Sequence, residues 1–190
     1  MIRKVPRNRP VAAGTADEIE ILYVDLLRSF YEEEDRERAK AVARRLEAAL
    51  ADHPEYAVSI RAEEIRSLLA ELRGDLVEAI RNRESEIRKI LELHSLSRDK
   101  PSWEFVLRQY DYSDISDRLD LLATLYADQG DLDRAIATLY ESKQFCESHR
   151  VLFDGQELLD EFEQKRRAAG EDRQREKTRR KRKKDRESIP

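Results

Sequence analysis

The chain offers few residues able to carry out a reaction. His53, His94 and His149 stand 41 and 55 residues apart, share no spacing, and fall near helix ends rather than in a ligand set. Cys146 and His149 are three positions apart and would share one helical face, but two ligands do not make a zinc site. A catalytic thiol needs a base and an oxyanion site, and no pattern in the chain announces either. Cys146 therefore reads as a partly buried structural residue. Paired carboxylates acting as general acid and base need a pocket; the run Glu32, Glu33, Glu34 reads more simply as a solvated turn. No glycine-rich phosphate loop is present. The expectation is a protein that is not an enzyme and uses no metal or cofactor.

The elements that would position any site are helices. Of 190 residues, 41% are charged and 39% hydrophobic, with only five glycines and five prolines, too few for a loop-rich or sheet-rich fold. One cysteine excludes an internal disulfide framework and fits a reducing compartment, so a cytoplasmic location is expected, or a nuclear one in a eukaryote. No apolar stretch approaches the length of a membrane span. The basic opening "MIRKVPRNRPVAAG" lacks the apolar segment of a secretory signal, and residues 1–14 read as a mobile arm. The net charge of −4 hides an asymmetry: from Lys165 onward there are 13 Lys and Arg against 5 Asp and Glu, which leaves residues 1–164 at −12.

Apolar residues at 3.6-residue spacing give the following stripes. The first helix buries Ile19, Leu22, Tyr23, Leu26 and Phe30. The second, capped by Asp35, buries Ala39, Val42, Ala43, Leu46 and Leu50. The third buries Ile65, Leu68, Leu69 and Leu72 and closes at Gly74; the fourth, capped by Asp75, carries Leu76, Ala79, Ile80, Ile87, Ile90 and Leu91. A short helix capped by Ser102 carries Trp103, Val106, Leu107 and Tyr110. The next buries Leu119, Leu122 and Tyr126 and ends at Gly130; Asp131 then starts one with Leu132, Ala135, Ile136 and Leu139. A last helix, capped by the pattern Asp154 and Glu157, buries Leu158, Leu159 and Phe162. Beyond Lys165 no apolar stripe remains, so residues 165–190 read as a basic tail, disordered or a solvated helix.

Two segments almost repeat each other: "LAELRGDLVEAI" at 69–80 and "LYADQGDLDRAI" at 125–136. In each, glycine takes the left-handed conformation that ends one helix and Asp caps the next. The alanine four residues after Asp lets two antiparallel backbones approach. Hairpins with this elbow resemble tetratricopeptide repeats. Residues 116–149 carry the pattern best: Leu119 at the Trp position, Leu122 and Ala123 at Leu-Gly, Tyr126 at Tyr, then Ala135 and Leu139, with Glu147 replacing the closing Pro. Residues 60–93 match at Gly74, Asp75, Leu76, Ala79 and Ile80, with Ala70 for the Tyr and Arg66 for the Leu. Residues 20–53 keep Phe30 and Ala39, with Glu34 where Gly would stand. The resemblance implies an all-α fold over 15–164, antiparallel hairpins stacked as a short α-solenoid with a C-terminal capping helix.

It also implies a function, that of a protein-interaction adaptor whose first helix in each hairpin lines a groove for a partner segment. The matching positions are Arg61, Glu64, Leu68 and Glu71, then Asp117, Asp120, Thr124, Ala127 and Asp128. Chaperone-binding members of the family place Lys and Asn there to hold a C-terminal carboxylate; Asp120 and Thr124 in those places would repel one, so a basic or mixed peptide fits better. The alternative surface is the tail. Arg179, Arg180, Lys181, Arg182, Lys183 and Lys184 are six consecutive cations that could neutralise phosphates of a nucleic acid. No aromatic residue interleaves them for base stacking. The opposite charges also allow the tail to dock on the chain's own acidic body.

Overall fold

The computed structural model describes residues 15–53, 56, 59–97 and 110–170. The N-terminal arm, the expected Trp103 helix and the six-cation run lie outside the described residues. Among the described residues every regular element is a helix, as the spacing requires. In chain order they are α1 (Thr15–Leu27), a π-helical turn (Arg28–Glu32), α2 (Arg36–Asp52), α3 (Ile60–Arg73), α4 (Leu76–Ser97), α5 (Tyr112–Asp128), α6 (Leu132–His149) and α7 (156–170). The chain divides into two compact units, residues 1–103 and 104–190, where the sequence suggested one domain over 15–164.

In the first unit α1 pairs with α2, and α3 with α4. The core is built from the predicted stripes: Ile19, Leu22, Tyr23 and Leu26 of α1, Ala39, Val42, Ala43 and Leu46 of α2, and Ile65, Leu68 and Leu69 of α3. Phe30, Leu50 and Leu72 lie at its rim, partly buried. Cross-links between α1 and α3 run in step along both helices. Arg61 reaches Glu20 at 3.3 Å, the Tyr23 hydroxyl donates to Glu64 at 2.6 Å, and the Tyr31 hydroxyl donates to Glu71 at 2.8 Å. The two helices are therefore parallel neighbours. On α4 the stripe departs from expectation. Leu91 is 42% exposed, and Arg83, Glu86 and His94 take the buried positions beside Ile87 and Ile90. Spacing of apolar residues alone could not show that an ion pair would occupy this face.

The elbows follow from a few residues. Gly74 has φ +77° and Gly130 φ +90°. The amide of the following Asp bonds back five residues, Asp75 to Ala70 and Asp131 to Tyr126, both at 2.9 Å. The Asp75 and Asp131 side chains then accept from the amides of Glu78 and Arg134 at 3.0 and 3.1 Å, starting α4 and α6. In the first hairpin Glu34, at φ +53°, fills the place of glycine, and Asp35 caps α2 through the Arg38 amide at 3.0 Å. Ahead of that elbow the Ser29 hydroxyl bonds the carbonyls of Asp25 and Leu26, where the π turn widens the helix.

In the second unit α5 pairs with α6, and Arg134 ties their elbow by stacking 4.1 Å over the Tyr126 ring and donating to its hydroxyl at 2.6 Å. Asp111 and Asp114 form a reciprocal capping box at the start of α5. α7 lies antiparallel to α6. Gln156 accepts from Lys143 at 3.1 Å, Glu163 accepts from Tyr140 at 2.8 Å, and Leu159 and Phe162 are buried. Its first intrahelical bond is accepted by Gly155, not by Asp154 as the sequence pattern suggested. From 164 to 170 α7 is exposed throughout, with Lys165 and Arg167 paired to Glu161 and Glu163 one turn back.

Candidate functional site

The nine positions expected to line a groove separate into two groups. On α3, Leu68 is 1% exposed and belongs to the core, and Glu64 is also buried. Glu64 accepts from Tyr23, and Arg61 donates to it while stacking 4.7 Å over the Tyr23 ring. Glu71 is bound by Tyr31. Arg61 and Glu64 are tied to α1, Glu71 to the π turn, and Leu68 lies in the core, so this part of α3 is engaged inside the unit. The reason was visible in the sequence: Leu68 sits in the apolar stripe, and burial of a leucine outweighs its use as a surface contact.

This α3 face is a buried polar network. Glu20 also accepts from the Tyr56 hydroxyl at 2.6 Å, and the Arg83–Glu86 pair on α4 is almost fully enclosed at 2.5 Å. Burial, then the charge of Glu64, push the Tyr23 phenol well above its ordinary range.

On α5 the picture is different. Asp117 and Asp128 are exposed, and Thr124 and Asp120 are half-buried between them. Positions 117, 121, 124 and 128 share one helical face. Neither Asp117 nor Asp128 has a hydrogen-bond or ion-pair partner among the described residues, and the same holds for Asp154 nearby. Desolvation of its carboxyl end, then the charge of Asp114, hold the Asp117 carboxyl above its usual range although the residue as a whole is exposed. The Thr124 hydroxyl donates to the carbonyl of Asp120.

Beneath this face runs a chain of small polar groups that sequence reasoning missed. The Cys146 thiol donates to Ser116 Oγ at 3.1 Å, Ser116 lies 3.0 Å from Ser142 Oγ, and Ser142 donates to Asp120 Oδ1 at 2.9 Å. Ser116 and Ser142 each stand three positions from the apolar stripe, at Leu119 and Leu139, so their spacing fits the buried face while their hydroxyls read as surface. His149 does not join Cys146; its ring stacks 4.2 Å from Phe145 and from Tyr112. Among the described residues no group of three His, Cys, Asp or Glu side chains is placed to hold a metal ion. No helix among them is long and apolar enough to cross a membrane.

No family model matches the chain, and no curated protein or solved structure is significantly similar to it.

Proposed function

We propose that the chain is a non-catalytic interaction module whose α5 face, in the second unit, docks a basic segment of a partner protein. One observation carries this reading. Several acidic side chains elsewhere are bound by cations, as Arg38 binds Asp25 and Glu33 at 2.5 and 2.7 Å, and Arg73 binds Glu47 and Glu78 at 2.7 and 3.2 Å. On α5, Asp117 and Asp128 share a face and have no such partner, and Asp154 adds a third free carboxylate beside Asp117. A lysine- or arginine-rich segment would supply the missing cations, with a salt-sensitive on-rate.

A tetratricopeptide-like arrangement of the hairpins is part of the same proposal. The two glycine elbows support it, and so do the parallel α1 and α3 helices, linked at nearly constant sequence separation.

The test is direct. A synthetic Lys/Arg-rich peptide is titrated into the full chain and into an Asp117→Lys/Asp128→Lys double variant, at low and high salt. Binding that weakens with salt and drops at least tenfold in the variant supports the α5 face; equal binding by both rejects it. Capture from cell extract by the full chain and by a chain ending at Gln164, with and without nuclease, addresses the other surface. Retention that needs the tail and disappears with nuclease would place function in the six cations at 179–184 instead.

A further inference from the structure

Asp120 is held in an unusual setting for a carboxylate. One oxygen accepts from Ser142, and the other faces the backbone of Gly155 so closely that a Cβ there would lie 2.8 Å from it. The same Cβ would lie 2.8 Å from the Phe153 ring. At Gly155 the segment 150–155 therefore covers Asp120, and a Cβ there would force the carboxylate or the Phe153 ring to move. Segment 150–155 is also the connection through which α7 reaches its place along α6. It begins at Arg150, a non-glycine residue at φ +57°.

The groups facing Asp120 are all acidic or neutral. From its own helix comes Asp117, from α6 the Ser142 hydroxyl, and from the covering segment Asp154. The neighbouring cations are used elsewhere: Arg118 pairs with Asp114 at 3.8 Å, and Lys143 donates to Gln156. Closing the cover thus strips water from Asp120 and brings a second carboxylate near it with no cation in compensation. Burial raises the Asp120 carboxyl, Ser142 lowers it in part, and Asp117 and Asp154 raise it further, to about 6.

We infer that Asp120 is a proton-controlled latch: segment 150–155 and the start of α7 close on α5 when the Asp120 carboxyl is neutral and open when it ionises. The sign follows from linkage. In the open form Asp120 is solvated and titrates near 4; in the closed form it holds its proton to higher pH. The closed form therefore binds more protons, and closure is lost as pH rises between those two values. For a shift of about two units, the opening equilibrium grows roughly tenfold from pH 5 to pH 7.5. This inference does not rest on the α5 face binding a basic peptide.

The experiment is amide hydrogen exchange of the full chain at residues 151–162, corrected for intrinsic rates, between pH 5 and pH 7.5. It is paired with NMR titration of the Asp120 carboxyl. Protection that falls about tenfold over this range, with the carboxyl midpoint near 6, is the expected result. Asp120→Asn should keep the segment protected at both pH values. Gly155→Ala should open the segment at every pH and lower the Asp120 midpoint. A midpoint near 4 in the native chain overturns the latch, and so does protection that is flat with pH. If Asp120→Asn fails to fold, the native titration and Gly155→Ala still decide.

Discussion

Tyr23 shows how much of one residue's behaviour the surroundings impose. Its ring belongs to the apolar stripe of α1, and its hydroxyl is satisfied by Glu64 inside the core. Burial and the Glu64 charge keep the phenol protonated in the folded protein above its ordinary range. The folded state thus binds a proton that the unfolded state releases near pH 10, so stability should fall as pH rises beyond about 10. Tyr23→Phe should cost about 2 kcal/mol at neutral pH and flatten that alkaline slope, as measured by urea unfolding across pH. Glu86 presents the sharper case, being fully buried with Arg83 on the same face of α4. Glu86→Ala strands the arginine and should cost about 3–5 kcal/mol in the same assay. At this scale the sequence was legible where residues were apolar. It was silent where Glu64, Arg83, Glu86 and Ser142 entered the interior, because a charged or hydroxyl side chain reads as surface until its partner is known.

At the scale of elements, the elbows were the most legible part of the chain. Gly74 and Gly130 are followed by Asp in the sequence, and both adopt the left-handed conformation with the same backbone bond five residues back. A Cβ at either glycine meets open space, so Gly74→Ala and Gly130→Ala test conformation alone. Each should lose about 1 kcal/mol in thermal or urea unfolding. Glu34 is the converse, a side chain where the repeat pattern has glycine. Glu34→Gly should gain up to about 1 kcal/mol, less what glycine adds to the freedom of the unfolded chain. The start of α7 was less legible. Asp154 reads as a cap, yet the carbonyl of Gly155 accepts the first bond of the helix, and Gly155 lies against the carboxylate of Asp120.

For the whole molecule, residues 1–103 and 104–190 form separate compact units, each with its own buried side chains. Expressed apart, each fragment should be helical and unfold cooperatively, followed by circular dichroism; a fragment that stays a coil would show that its core depends on the other. Apolar periodicity gave the helices and the all-α class directly, whereas the division into units depends on contacts between distant segments that no local pattern encodes. The π turn at 28–32 has a further consequence, for the length of the chain. Before it, α1 meets α3 at a separation of 41 positions, Glu20 with Arg61 and Tyr23 with Glu64; near its end, Tyr31 meets Glu71 at 40. One surplus residue has been absorbed in the wide turn, and the two helices stay in phase on either side of it. Removing Arg28 should therefore convert the turn to plain α-helix and leave Tyr31 opposite Glu71, whereas removing Ile21 or Leu22 would put Glu20 and Tyr23 out of phase with Arg61 and Glu64.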